Sequence, residues 1–484
     1  MDKFINLMQG QDMDPITSTF PNNCSSYLAD LRKSPTFAMS LGAKELFHTN
    51  FLAFLLEIQS GDQALGAIQN NLKKLLFGHD GIGRVITWRE KYSLDLVVMP
   101  APVIEGDSWH LDGVKSELNE STTIAVVIEA KLKSIPTTQQ LEKYDSKLKS
   151  GITFDLDDID PTDNICKSMK LCIPGEDIVS YIDLLSVSVN EKKNTVLKLK
   201  GKVRRILLGP TDPEKTGWDY IPWRDVVNCL VCEANAGEST QCNKTELLQR
   251  IICDYRESLK NILEILKCTN SHVDNAITNC NVKSYYDAIT DKSFRNLRIH
   301  DLVGKYANNI LEGKVFKSLQ NTLGTCGFNI SDRTFTLNSY TFFSNQQPGV
   351  TFEWLCKEGK SEVSFGVTIQ GYDYRHFISV DGKDKDARNL ILKELENILD
   401  MASNNWFLKN LGSVPLLAKK ANNIFYVFNE SKFRYSKAPI SDFKLKCLSG
   451  AVSSSLGSAR GMVVKENAGF CNQLTEFFKV KSSI

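Results

Sequence analysis

The chain has 484 residues, too many for one ordinary core, so two or three domains are expected. Hydrophobic residues make up 42% and charged residues 24%, the balance of a soluble globular protein. A formal charge of +1 gives no global attraction to polyanions, so any grip on nucleic acid must come from local patches.

The opening stretch, MDKFINLMQGQDMDPI, carries acids and lacks the basic start and apolar run of a secretory signal. No run reaches the roughly 18 apolar residues that a membrane helix needs. A cytoplasmic location without membrane contact is the expectation. The thirteen cysteines are odd in number and have no framework spacing, which fits reduced thiols better than disulfides. The tightest pair, Cys229 and Cys232, could open a zinc site with Cys242 and Cys253. However, Val226, Val227, Leu230 and Val231 give that stretch a helical apolar face, and core packing is the stronger reading.

Residues 41–58 place Leu46, Phe47, Phe51, Phe54, Leu55 and Ile58 at helical spacing, and ALGAIQNNLKKLLFG predicts a second helix. HDGIGRV reads as a turn. RVITWREKYSLDLVVMPAP predicts two strands, and a polar loop at 102–121 separates them from the apolar strand IAVVIEAK, residues 124–131. SIPTTQQLEKYDSKLKS then predicts a helix, with Ser134 as cap and Pro136 in its first turn. Residues 151–202 form a polar insertion in which EDIVSYIDLLSVSV reads as helix. VRRILLG predicts another core strand, and YIPWRDVVNCL and KTELLQRIICDYRESLKNILEIL predict helices. Polar composition over 269–290 marks a boundary between a domain at 1–268 and a second at 290–484. The second half reads as α+β: a helix over 294–323, several strands, and helices near 385–401 and 464–479.

Five Glu-x-Lys triplets occur, at Glu129, Glu191, Glu312, Glu358 and Glu430, but only the first ends an apolar strand. Glu129 and Lys131 lie two apart and so point from one face of that strand. Asp95 interrupts the apolar strand upstream, in YSLDLVVMP, and converges on Glu129 if the two strands pair. Two close carboxylates repel unless a positive group stands between them, and a hard divalent cation such as Mg²⁺ meets that need. Lys131 would then stand beside a metal-bound water. Gln140 and Tyr144, four apart on the next helix, share a face that can overlook the strand tip. Lys143 and Lys147 lie on the other side, suited to phosphate contact or to solvation. The basic run at 191–205 includes Lys198, Lys200, Lys202, Arg204 and Arg205 and could track a phosphodiester backbone, although solvated hairpin faces look similar. GPTDPEKTG is rejected as a nucleotide loop, because Glu214 stands where the glycine before Lys215 is required. His48 reads as a core or surface residue.

The order Asp95, Glu129-Ala130-Lys131, then Gln140-Leu141-Glu142-Lys143-Tyr144 resembles the PD-(D/E)XK nuclease superfamily, in the version with a Gln-x-x-x-Tyr helix found in RecB-type nuclease domains. KELFHTNFLAFLLE is similar to the first helix of one bacterial branch, in which an acid opens the helix. RRILLGPTDPEKTGWDYIPWRDV is similar to that branch's later strand, loop and helix. The resemblance covers about residues 40–265. Leu94 stands where the family's name has a proline, a position that many members fill otherwise.

The resemblance implies an α/β fold with a restriction-endonuclease-like αβββαβ core, its mixed central sheet flanked by helices, followed by the α+β C-terminal domain. It implies that Asp95 and Glu129 bind Mg²⁺ or Mn²⁺, with the Ala130 carbonyl and Glu45 as further ligands. Lys131 would activate the attacking water and stabilise phosphate charge, while Gln140 and Tyr144 position substrate or the lysine. The function implied is a metal-dependent nuclease, with DNA the expected substrate and bacterial restriction or phage defence the expected setting. A homo-oligomer or a defence-system partner protein would fit that setting. The competing expectation is a catalytically inactive nuclease-fold module that binds nucleic acid or a protein partner.

Overall fold

A computed structural model of the chain describes residues 19–479 except 44, 59–61, 91–93, 106–107, 113–121, 133–137, 150–151, 156–169, 174–180, 188–193, 201, 211–216, 232–243, 326, 360, 383, 400–425, 429–432 and 466–467. Helices α1 (Thr19–Asn23), α2 (Ser25–Lys33), α3 (Pro35–Ala43), α4 (Glu45–Glu57) and α5 (Gln63–Phe77) lead into strands β1 (Val85–Arg89), β2 (Leu96–Pro100), β3 (Pro102–Glu105), β4 (Ser108–Leu111) and β5 (Thr123–Ala130). Next come α6 (Thr138–Lys149), β6 (Ile152–Asp155), β7 (Lys170–Ile173), β8 (Tyr181–Val187), β9 (Asn194–Lys200), β10 (Lys202–Gly209) and β11 (Asp219–Pro222). Helices α7 (Trp223–Cys229) and α8 (Lys244–Asn279) follow. The chain divides into two compact units, Ser26–Glu264 and Met1–Ser25 with Ile265–Ile484, the division falling inside α8. The polar stretch at 269–290 is helical, in α8 and in α9 (Val282–Ile289).

In the Ser26–Glu264 unit, five strands form one mixed sheet in the order β1-β2-β5-β10-β11. The β1–β2 and β2–β5 pairs are antiparallel, while the β5–β10 and β10–β11 pairs are parallel. All eight residues of β5 are buried, which explains its unbroken apolar run: a central strand covered on both faces cannot alternate with polar side chains. A parallel pair needs a crossover, and α6 with the inserted four-stranded sheet β6-β7-β8-β9 lies between β5 and β10. The expected helix at EDIVSYIDLLSVSV, residues 176–189, is a strand over its described part, β8, paired on both sides; YIDLLSV is short enough for its apolar spacing to serve either state. The polar loop at 102–121 contains the β3–β4 hairpin. Of the helix expected from Tyr220, the first three residues belong to β11, and α7 starts only after Pro222.

Two arginines of β10 brace this unit. Arg204 donates to the carbonyls of Leu75 (3.0 Å) and Leu76 (2.8 Å) at the end of α5 and pairs with Asp219 at 2.6 Å. The last carbonyls of a helix lack intrahelical donors, so the guanidinium supplies what α5 cannot. Arg205 reaches across to α6, where Asp145 Oδ1 accepts from it at 2.8 Å and from the Trp218 indole at 3.0 Å.

The second unit contains α9, α10 (Lys292–Asn296), α11 (His300–Leu323), β12 (Phe328–Ile330), β13 (Arg333–Ser344), β14 (Gln347–Glu358), β15 (Ser361–Gln370), β16 (Asp373–Asp381), α12 (Lys385–Ile398), β17 (Tyr426–Phe428), β18 (Phe433–Pro439), α13 (Leu448–Lys465) and α14 (Ala468–Lys479). Its seven strands form an antiparallel sheet in the order β12-β13-β14-β15-β16-β18-β17. Helices α11 and α13 pack on this sheet, over a core that includes Phe352, Trp354, Phe365 and Val367. The helix expected over 294–323 is broken between α10 and α11, where Arg298 takes a left-handed conformation (φ 54°).

Among the described residues no helix is long and apolar enough to cross a membrane. Cys229 is a half-buried free thiol; Cys232 and Cys242 lie outside the described residues.

The Asp145 contacts hold α6 against the sheet, so Asp145→Ala should lower stability by about 1–3 kcal/mol, because it strands a half-buried guanidinium. Chemical denaturation of the two proteins measures this, and an unchanged midpoint would contradict the bracing role.

Candidate functional site

The β2–β5 register pairs Leu96 with Ile128 and Val97 with Val127. One step further along the same antiparallel ladder, Asp95 stands opposite Glu129. The two carboxylates interrupting two apolar strands therefore meet at one edge of the paired segment. Asp95 Oδ2 accepts from the Ala130 backbone N–H at 2.8 Å and lies 3.7 Å from Lys131 Nζ. The same ammonium is 2.7 Å from Glu129 Oε1. Lys131 itself is pinned through its backbone: its N–H donates to Leu208 O of β10 at 2.7 Å, and its carbonyl accepts from the Trp223 indole at 2.9 Å.

Glu129 is fully buried, at 0% exposure. Its Oε1 accepts from Lys131 and from Gln140 Nε2 (2.9 Å), while Oε2 has no hydrogen-bond partner among the described residues. Burial, followed by the Asp95 charge, pushes its carboxyl up to about 7; the Lys131 ammonium acts in the other direction without cancelling them. The second N–H of Gln140 fits the same geometry, since Nε2 also donates to Tyr144 Oη at 2.8 Å. Burial holds the Tyr144 phenol above its ordinary range, partly offset by that amide. Gln140 and Tyr144 thus sit one turn apart on α6 and reach the strand tip together.

The remaining candidates lie elsewhere. Glu45 is the first residue of α4, and its side chain is outside the described residues. His48 is buried, with Nδ1 at 3.1 Å from Tyr255 Oη and its ring edge-on to Trp223 at 5.9 Å, so it backs the wall behind Lys131. Lys143 and Lys202 are exposed and Lys147 is half-buried. Arg204 and Arg205 are engaged in the internal contacts with α5, Asp219 and Asp145. Lys198 and Lys200 lie in β9, with side chains outside the described residues.

Mg²⁺ asks for one or two carboxylates and keeps several waters, so a pair of acids meets its minimum requirement. The buried Oε2 of Glu129, which no donor among the described residues serves, fits such an ion. Among the described residues no group of three or more His, Cys, Asp or Glu side chains is arranged to hold a metal.

The chain matches no protein-family model, no curated protein and no solved structure. The geometry of the site therefore carries the functional argument by itself.

Sequence reasoning did not find Trp223 or Asp145. Trp223 is separated from Lys131 by 92 positions. The only sequence signal was a tryptophan directly after a proline at a strand–helix junction, which a buried core residue explains equally well.

The folded chain holds the Glu129 proton more tightly than the unfolded chain, so it binds more protons between about pH 4.5 and 7. Stability contributed by the protonated carboxyl is present below that window and is lost as the pH rises through it. In metal-free buffer, wild type should therefore lose on the order of 2–3 kcal/mol relative to Glu129→Gln between pH 5 and 8. Denaturation midpoints of the two proteins across that range check this; parallel profiles would contradict it.

Proposed function

We propose that the Ser26–Glu264 unit is a divalent-cation-dependent nuclease of the PD-(D/E)XK kind that hydrolyses phosphodiester bonds, with DNA as its substrate. One observation carries the reading: two carboxylates and an ammonium meet at adjoining strand ends, and one oxygen of the buried Glu129 has no partner among the described residues. The chain order α5, β1, β2, β5, α6, β10 also follows the αβββαβ order of the restriction-endonuclease-like core, with β3–β4 and β6–β9 as insertions.

Asp95, Glu129 and, through its carbonyl, Ala130 are the groups that would hold Mg²⁺ or Mn²⁺. When bound, the cation supplies Lewis acidity toward the phosphate and makes a water more acidic. The protein's own groups do the rest. Gln140 restricts the rotation of the Glu129 carboxylate by engaging Oε1. The Lys131 ammonium, between both acids, can hold the attacking water and balance charge that builds on the phosphate. Exposed Lys143 and Lys202 are available for backbone phosphates, whereas Arg204 and Arg205 act in the fold. A role in bacterial restriction or phage defence would suit such a nuclease joined to a second unit.

Purified protein incubated with linear and circular, single- and double-stranded DNA and with RNA should cleave DNA only when Mg²⁺ or Mn²⁺ is added. Glu129→Ala and Lys131→Ala should each reduce cleavage by roughly 10²–10⁴-fold with unchanged far-UV circular dichroism. Cleavage that survives in both folded variants would remove the proposal. A folded wild type that binds DNA without cutting it under any metal condition would favour an inactive binding module instead.

A further inference from the structure

In the second unit, β13 is twelve residues long and pairs along Thr336–Ser344 with β14 on one side. On its other side, β12 pairs only with Arg333–Phe335. Nine residues, Thr336 to Ser344, therefore present an outer backbone edge without a strand partner among the described residues. Every one of them is exposed or half-buried, whereas the facing stretch of β14, Pro348–Trp354, is buried throughout.

This edge is held stiffly. Asn345 and Gln346 form a two-residue hairpin loop with φ of 52° and 60°, the conformation that matches strand twist. His300 of α11 bonds Gln346 at 2.8 Å, and Gly304 sits so close to the hairpin that a Cβ there would lie 3.1 Å from Pro348. The polar side chains of the strand are tied inward: Asn338 donates to Glu353 at 2.9 Å, and Ser339 bonds Glu312.

The edge also lacks the devices that keep open strands apart. From Thr334 to Gln346, TFTLNSYTFFSNQ, there is no charged residue and no proline, and the pairing to β14 runs without a bulge. Tyr340 projects at 47% exposure, with Leu337, Phe342 and Phe343 half-buried beside it. A strand that is stiff, straight, uncharged and aromatic is a template for another strand.

We infer that the Thr336–Ser344 edge of β13 pairs antiparallel with the same edge of a second copy of this chain, making a two-fold dimer. An isologous contact lays a strand against itself, so any charge within it would oppose a like charge at some register. This segment has none, which makes it compatible with itself at every register. The pairing would add a ladder of about nine residues across two seven-stranded sheets. It is independent of the nuclease reading, since it involves only the second unit.

Sedimentation equilibrium of the full chain from about 1 to 50 µM should give twice the chain mass at the upper end. The double substitution Thr336→Lys with Tyr340→Lys places four ammonium groups along the junction and should raise the dimer dissociation constant by about tenfold or more, with unchanged circular dichroism. Amide exchange in peptides covering 336–344 of the wild type, which needs no variant to fold, should slow as concentration rises. A wild type that stays monomeric, a dimer that persists unchanged in the folded double variant, or exchange at 336–344 that ignores concentration would overturn the inference.

Discussion

A carboxylate buried without access to water must be neutralised, paired or protonated, and the Ser26–Glu264 unit is built around one that is only half served. Glu129 stands at the end of the central strand of a mixed sheet, with its Oε1 bonded by Lys131 and Gln140 and its Oε2 without a donor among the described residues. Desolvation and the neighbouring Asp95 drive the carboxyl toward its neutral form, while Lys131 pulls the other way. A structural ion pair between Lys131 and Glu129 alone does not require the second acid, whose charge adds repulsion even as it accepts the Ala130 N–H. A cation held by both carboxylates, as proposed, would resolve the conflict.

The surrounding fold keeps that conflict in place. Antiparallel register aligns Asp95 with Glu129, and a one-residue shift of β5 would carry Glu129 to the opposite face of the sheet, away from Asp95. Lys131 is fixed from behind by β10 and by the Trp223 indole, with His48 and Tyr255 packed beyond it. The helix carrying Gln140 and Tyr144 is fastened through Asp145 to Arg205 and Trp218. Lys131 and the helix that carries Gln140 and Tyr144 are thus positioned by contacts that lie outside the site.

Much of this was legible in the chain. The five-residue apolar run Ile124–Ile128 of β5 announced a strand covered on both faces, and the acids at its end and in YSLDLVV stood out because charge is costly there. Spacing alone placed Gln140 and Tyr144 on one face of α6. Other features were not legible, for physical reasons. The run at 181–187 has apolar residues at positions that suit either a helix or a strand, and only its neighbours β7 and β9 decide. The break before His300 depends on a left-handed arginine, which no local pattern requires. The basic run ending at Arg205 looked like a phosphate track, yet its two arginines neutralise Asp219 and Asp145, partners 15 and 60 positions away. Composition cannot distinguish a cation waiting for a ligand from one already paired within the fold.

The most direct test of the central claim is a crystal of the wild type grown with Mn²⁺ and measured at an anomalous wavelength. The account predicts a single strong anomalous peak within bonding distance of oxygens from both Asp95 and Glu129, with the Lys131 ammonium moved off Glu129 Oε1. Well-ordered density with Lys131 still seated on Glu129, and no peak between the two carboxylates at millimolar Mn²⁺, would contradict it.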